Sequence, residues 1–557
     1  MKPCALLFAI GMGMHASLLN AADTHAFVPD ITAADFAAHL KVLASDEFGG
    51  RAPATPAEAK TVVYLRDQFE RMGLSPGNGD DYFQNVPIQI RIADFPNSKA
   101  SIDLGGKPLA LALGTQAVLG SESEESSIRI ADSPMLFVGY GIDAPDQNWN
   151  DYAGTDVRGK TVVMLAGEPA ANASERNLFE GRPWTHYSRW AYKVEEAARQ
   201  GAAAAIIVHD TQDAGYNWDG VKERWMRPQA ALRMEPHESR VQLHAWITDE
   251  SAHRFFHAAG LDLSTMRNAA GRRGFKAVAL GTAKFSGALP GKMLFGQSRN
   301  VIAKLSGSTF PDEAIVYSAH WDHLGTQLGK SGDNIYNGAI DNASGVAAVL
   351  EIAARFAAQQ PKPQRSILFL IPTLEELGLL GSKYYTAHPV VPLASTVADI
   401  NFDMIAPIGR ARDFVAIGLA YSELEDVLRP VVARQGRVLS AEPSSEKDSF
   451  FRSDHLSFAK AGVPVLYVRG GMQRSGVVPY GIAREDIWNR VVSTYHTPDD
   501  EFDHDWDLAG IVDDLEVAHE VGTILASSRD WPNYRAGHLF RQLRDASRKG
   551  GQSPTTP

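Results

Sequence analysis

Five side chains able to ligate a metal follow one another through the second half of the chain: His320, Asp341, Glu376, Asp403 and His496. Another acid, Glu375, adjoins Glu376. Imidazole nitrogen and carboxylate oxygen are donors that zinc accepts, and two ions about 3.5–4 Å apart can share one bridging carboxylate. A bridge must reach both ions, which suits an acid on a tight loop. Asp341 lies in such a loop, Asn337-Gly338-Ala339-Ile340-Asp341-Asn342-Ala343-Ser344-Gly345. Neighbours on an extended chain point apart, so Glu375 does not easily share a metal with Glu376. A free carboxylate beside a metal is a natural general base. Asp322, two residues after His320, is placed to accept the other imidazole N–H and fix the tautomer. The chemistry that suits this set is hydrolysis assisted by two metals. Taken singly, each His or Asp reads more simply as a solvated loop residue. Their recurrence at successive strand ends carries the reading.

The elements that must position them are legible. Residues 314–319 form a short apolar run, and His320 follows it. Residues 366–371 form another, followed by Pro372-Thr373-Leu374 and the Glu pair. Residues 397–402 lead into Asp403. Runs this short and apolar suit strands buried on both faces, as in a parallel sheet covered by helices. Between the first two, Val346, Val349, Leu350, Ala353 and Phe356 recur at helical spacing. The order is strand, helix, strand, and in open α/β sheets sites form outside the carboxyl ends of the strands.

Five motifs then carry a resemblance. They are His320-Trp321-Asp322, Ala339-Ile340-Asp341-Asn342-Ala343-Ser344-Gly345, Leu374-Glu375-Glu376-Leu377-Gly378-Leu379-Leu380-Gly381-Ser382, Asn401-Phe402-Asp403-Met404-Ile405 and Tyr495-His496-Thr497-Pro498. In this order they resemble the di-zinc aminopeptidase family, which also contains glutamate carboxypeptidases, glutaminyl cyclases and transferrin receptors. The resemblance implies a three-layer α/β/α catalytic domain with a mostly parallel mixed sheet. It implies an exopeptidase that removes N-terminal residues from peptides with two Zn²⁺ ions. It places His320 and Asp403 on one zinc and Glu376 and His496 on the other, with Asp341 bridging. It makes Glu375 the general base and Tyr495 a hydrogen-bond donor to the tetrahedral oxyanion. Two features depart from the family pattern. The loop from His320 to Asp341 is longer than in the small secreted aminopeptidases, and Leu374 stands where a Gly usually precedes the Glu pair. Ser453-Asp454-His455 resembles a family loop near the pocket, either supporting the site or purely structural. His455 is not read as a ligand, and His323 is read as a loop residue.

Other activities of the same family are weighed on the same residues. A glutaminyl cyclase needs only one zinc, whereas His320 and Asp403 complete a second site. A carboxypeptidase needs a cationic pocket for the substrate carboxylate, and the sequence places none. A non-catalytic binding protein would have lost ligands, and this chain keeps them.

At 557 residues the chain exceeds one ordinary core, so two or three domains are expected. Its hydrophobic content of 44% is that of a globular protein. A net charge of −12 argues against nucleic-acid partners and against an anionic membrane surface, and solubility accounts for it simply. Met1-Lys2, an apolar run from Ala5 to Leu19, and Ala21-Ala22 read as a secretory signal over residues 1–22, so a secreted or periplasmic location is expected. The one cysteine, Cys4, lies inside that segment, so export cannot be argued from disulfides. No other run reaches the roughly 18 apolar residues of a membrane helix.

The expected domain map follows. Residues 23–115 form the first part of the catalytic domain, with helical patterns at 35–43 and 57–72 and a linker or turn at 51–55. Residues 43–51, Leu-Ala-Ser-Asp-Glu-Phe-Gly-Gly-Arg, resemble the start of larger members of the same family. Residues 116–289 read as a β-rich insertion, with strands at 135–141, 160–165 and 203–208 and a helix at 191–200. Gly159-Lys160-Thr161-Val162-Val163, followed by Gly201-Ala202-Ala203-Ala204-Ala205-Ile206-Ile207, resembles a protease-associated domain, whose family role is a lid or substrate-restricting module. A generic insertion is the plainer alternative. Residues 290–531 complete the catalytic domain. Residues 532–557 read as a polar tail, without a fixed fold over the last dozen or so. No solenoid repeats are visible.

Overall fold

Each apolar run that ends at a candidate ligand is a strand. In the computed structural model these are β1 (Phe310–Ser318), β2 (Arg365–Ile371) and β3 (Thr396–Phe402). The model describes residues 25–550 apart from 172–174, 177, 182–183, 236–237, 328–330, 443–448, 472, 474–488 and 490. The expected signal, residues 1–22, lies outside the described residues.

β1 pairs in parallel with β2 on one side and with β3 on the other. β3 pairs in parallel with β4 (Val465–Gly470). The long strand Val278–Leu305 adds to β2 antiparallel, and the strand Phe83–Ala93 adds to that long strand. Beyond β4 lie Asp413–Ile417, antiparallel, and Val438–Ala441. The sheet is therefore mixed with a parallel centre. The chain leaves β1, crosses to β2, then returns to the opposite side of β1 as β3. That reversal opens a crevice at the carboxyl ends.

Strand alternation splits the side chains between two layers. Ile315, Tyr317, Ile367, Phe369, Ala398, Ile400 and Phe402 pack against α1 (Ala33–Leu43), α2 (Pro56–Arg71), α3 (Ser344–Ala358) and α4 (Ala509–Ser527). Val316, Leu368 and Leu370 pack on the other face with Tyr385, Phe458, Tyr534 and Phe540. Burial on both faces is why the runs carry no polar alternation. The amino-terminal helices belong to this core. Thr32 caps α1 by accepting from Asp35, and Thr55 caps α2, which opens on Pro56. Phe36, Leu40, Leu43, Val62, Leu65 and Phe69 are buried, each stabilising the layer by about 1.5–3 kcal/mol.

Two expectations about the map change. The strand Lys99–Leu104 already pairs with residues 283–288 of a second sheet, so the insertion begins before residue 116. The insertion is mixed α/β instead of merely β-rich. Its strands Thr161–Leu165, Ala204–Val208 and Leu243–Ile247 run parallel, with separate apolar clusters on the two sheet faces. Helices Trp190–Arg199 and Asp249–Ala258 supply parts of those clusters. The long strand belongs to both sheets, with residues 278–290 in the second and 291–305 in the first.

The polar tail also needs correction. α5 (Leu539–Gly550) packs on the domain. Phe540 is buried, and the Arg544 guanidinium donates to the carbonyl of Thr396 at 3.0 Å. A narrow stripe of Leu539, Phe540 and Leu543 suffices for docking, and it is hidden by the polar composition around it.

Candidate metal centre

His320 leaves the end of β1 with its imidazole fully buried. Its Nδ1 lies 3.1 Å from the Asp322 backbone carbonyl, an acceptor only, so Nδ1 is the donor there and Nε2 is the nitrogen turned to the carboxylates. Nε2 faces Asp341 Oδ1 at 3.4 Å and Asp403 Oδ1 at 3.7 Å. The expected partner was the Asp322 carboxylate, but that oxygen is 3.9 Å away, too far for a hydrogen bond. The carboxylate instead accepts the backbone N–H of Glu375 at 3.0 Å and of Glu376 at 3.4 Å. The turn after β2 presents these two amides, and a buried carboxylate must take donors where they are offered. Burial pushes the Asp322 carboxyl up to about 7, against the pull of His320.

That turn rests on Leu374, buried at φ 59°, the left-handed region that favours glycine. Leucine there is strained by about 1–2 kcal/mol, offset by its apolar contacts with Val86, Ile88 and Leu380. The turn sends the two Glu side chains to different sites. Glu375 Oε2 lies 3.9 Å from His320 Nε2, and Glu376 Oε2 lies 3.0 Å from His496 Nε2. Burial, with Glu376, Asp403 and Asp454 nearby, drives Glu375 well above the usual carboxylate range, His320 opposing. Glu376 is also buried and faces Asp341, yet His323 and His496 hold it down at about 2. Neighbouring acids whose proton affinities are pushed apart are suited to different tasks.

Asp341 is held from several directions. Asp500 accepts the N–H of Ile340 at 2.9 Å and of Asp341 at 3.0 Å, and its own carbonyl accepts from Ala339. Asn342 donates to the Phe402 carbonyl at 2.9 Å, and its Oδ1 accepts from Gly345 and Met404. The loop is thereby tied to the end of β3, beside Asp403. The two Asp341 oxygens face opposite ways: Oδ1 toward His320, and Oδ2 toward His496 Nε2 at 3.1 Å. A carboxylate so placed can bridge two cations.

His323, read from sequence as a loop residue, is part of the centre. It is buried, and its Nδ1 lies 2.7 Å from Glu376 Oε1 and 4.0 Å from Asp341 Oδ2. Two groups have ligand atoms mutually within 4.8 Å: His320, Asp341 and Asp403; and His323, Asp341 and Glu376. His496 adds its Nε2 to the second. Tyr495 stacks on the His496 ring with centroids 3.8 Å apart and is 46% exposed, at the rim of the centre. His455 is no ligand: its Nε2 donates to the Phe450 carbonyl at 2.7 Å, while Ser453 Oγ accepts from Asn401. Ser453 thereby ties its loop to β3, and His455 closes that loop on Phe450. Asp454 is buried close enough to His320 for the imidazole to counter the burial that raises its carboxyl to about 6.

The donors fit zinc. All are imidazole nitrogens or carboxylate oxygens. Among the described residues, His320 Nε2, Asp403 Oδ1 and His496 Nε2 are buried without a well-formed hydrogen bond. Buried polar atoms in that state call for a partner.

Residues 300–518 match the model of peptidase family M28. The chain is 28% identical over 547 residues to a probable lipoprotein aminopeptidase, LpqL, of Mycobacterium tuberculosis, covering 95% of this chain and 89% of that protein. It is 32% identical over 167 residues to leupeptin-inactivating enzyme 1 of Streptomyces exfoliatus, covering 30% of this chain and 34% of that enzyme. The solved aminopeptidase from Aneurinibacillus sp. strain AM-1 aligns at 19% identity with a TM-score of 0.46, over 90% of this chain and 95% of that one. The chain spans only 9% to 34% of the length of the first curated relatives that it matches. Residues 300–518, the stretch that matches the peptidase family M28 model, hold every candidate ligand of the centre.

Proposed function

We propose that the protein is a metallo-aminopeptidase, a zinc-dependent exopeptidase that removes N-terminal residues from peptides at a centre of two zinc ions. The observation that carries this reading is the Asp341 carboxylate, with one oxygen toward His320 and Asp403 and the other toward His496 and Glu376. His320 and Asp403 would hold one ion, Glu376 and His496 the other, and Asp341 both. Zinc, when bound, activates water and polarises the scissile carbonyl.

The remaining steps belong to the chain's own groups. Glu375 lies beside His320 with its backbone N–H anchored on Asp322. Its carboxylate takes the proton from the attacking water and returns it to the leaving amine. The Tyr495 hydroxyl donates to the oxyanion as charge develops there. Asp500 and Asn342 hold the bridging carboxylate in place while this happens. The inserted second sheet is read as a protease-associated module that restricts access. The segment 1–22 supports an exported, secreted or periplasmic enzyme. No helix among the described residues is long and apolar enough to cross a membrane.

The test is a zinc titration paired with a substrate screen. Two zinc per chain are expected, with cleavage of free peptides, no cleavage of N-acetylated ones, and loss on chelation reversed by zinc. One zinc or none after loading, or equal cleavage of blocked peptides, overturns the reading.

A further inference from the structure

The segment Ser45-Asp46-Glu47-Phe48-Gly49-Gly50-Arg51 lies about 270 residues before the first ligand, yet it reaches the metal centre. By sequence alone Arg51 opens a linker or turn over residues 51–55. In the fold its guanidinium is fully buried. Nε donates to the Trp321 carbonyl at 2.9 Å, between His320 and Asp322. One terminal nitrogen donates to Leu43 at 2.8 Å and to Asn337 at 2.6 Å. The other donates to Gly338 at 2.8 Å, in the loop that carries Asp341. The Arg51 carbonyl accepts in return from the His323 N–H. Asp46, in the same segment, accepts from the Asn337 side chain at 2.9 Å.

The two glycines explain how an arginine gets there. Gly49, Gly50 and Arg51 all have left-handed φ, of 55°, 64° and 49°. A Cβ on Gly50 would lie 2.5 Å from the Tyr336 carbonyl and 2.6 Å from that of Gly325. Only glycine permits that approach. The tight turn then directs Arg51 inward, between the loop after β1 and the loop before α3.

We propose that Arg51 is a positioning residue of the metal centre, a planar fork that sets the spacing between the His320 loop and the Asp341 loop. The inference rests on the two-metal reading above. Its logic is geometric. One ligand, His320, and the bridge, Asp341, come from different loops, and no covalent feature fixes the distance between them. A guanidinium has five donors in a rigid plane and can hold carbonyls of both loops at once. A lysine ammonium carries the same charge from a single point and cannot span them. The cation also sits among Asp500, Asp341, Asp322 and Glu376, so it offsets like-charge repulsion around the bridge.

The experiment uses the full chain, stripped with chelator and titrated with zinc alone against a competing indicator. Arg51→Lys and Arg51→Met are both expected to weaken zinc binding by about 10–100-fold, the range typical of groups that orient metal ligands. At saturating zinc, kcat is expected to fall while KM stays within about twofold, because the reacting groups and not the substrate pocket are displaced. Far-UV circular dichroism checks folding. If Arg51→Met does not fold, Arg51→Lys decides alone. Wild-type zinc affinity and kcat in Arg51→Lys overturn the proposal, as does a lower melting temperature with both unchanged, which is a purely structural role. A wild-type protein that binds two zinc ions yet cleaves no peptide ends the aminopeptidase reading, and the zinc affinities still decide this one.

Discussion

In the proposed mechanism one peptide bond separates the roles of Glu375 and Glu376. The left-handed turn at Leu374 aims them apart, and Asp322 anchors both backbone N–H groups. Glu375→Gln keeps the shape but cannot accept a proton. Its kcat should fall about 10²–10⁴-fold with zinc content unchanged. Glu376→Gln should lose zinc as well as rate. Zinc analysis beside peptide-cleavage rates separates the two, and a fully active Glu375→Gln enzyme removes that residue from the mechanism. His323 makes a second case. Its Nδ1 holds the Glu376 oxygen that faces away from His496. His323→Ala should weaken zinc binding by about 10–100-fold, and His323→Asn, which keeps a donor, should recover most of it. Equal affinity in both variants and in wild type would return His323 to the status of a core residue.

At the scale of elements, the centre depends on how closely α3 approaches the end of β3. Gly345 lies in the first turn of α3, where a Cβ would meet Asn342 Oδ1 at 2.4 Å and the Phe402 carbonyl at 2.6 Å. Gly345→Ala must push the helix from the strand and break the Asn342 bridge beside Asp341 and Asp403. A loss of about 1–3 kcal/mol in stability, with weaker zinc binding, is expected from denaturant melts and zinc titration. The packing of α1 on α3 gives a pH signature. Burial pushes Glu351 from 4.5 to about 8, against a hydrogen bond from the Thr32 N–H. The folded state therefore holds this proton more tightly than the unfolded chain. Stability contributed here is complete below about pH 4.5 and is lost as pH rises toward 8. Glu351→Gln should lack that decline and should exceed wild type most at pH 8 and above. The linkage ceiling, at about 1.4 kcal/mol per pH unit, is roughly 5 kcal/mol. Urea midpoints at pH 5 and pH 8.5 that differ equally in the two proteins would refute it.

Across the whole molecule, one strand joins two bodies. Ala93 and Gly291 are paired neighbours in the first sheet, and residues 94–290 leave and return between them. Replacing 94–290 by a tight Asn-Gly turn should close an ordinary hairpin and leave the zinc centre intact. The truncated protein should bind as much zinc as the full chain. It should melt at lower temperature, because it loses the strand Gln229–Leu232 from the sheet edge, the packing of His186 on Phe451 and Phe540, and the Glu195–Lys460 ion pair. Failure to fold, seen by circular dichroism, would mean that the first sheet needs the second to form.

The sequence by itself determined the residue types of the centre and the strands that deliver them. Strands buried on both faces must be continuous apolar runs, and sites in such sheets open at carboxyl ends, so His320, Glu376 and Asp403 announce themselves where the runs stop. Asp341 was legible because its loop opens a helix of clear period. Tertiary structure alone decided the rest. Arg51 joins Trp321 across 270 residues, Asp500 joins Ile340 across 160, and His323 joins Glu376 across 53. A lone Arg, Asp or His in a loop reads equally well as solvated, and no local period marks it otherwise. The Asp322 carboxylate went to backbone amides instead of the imidazole for the same reason. Its partners were set by where the turn after β2 came to lie, and that placement exists only once the sheet has formed.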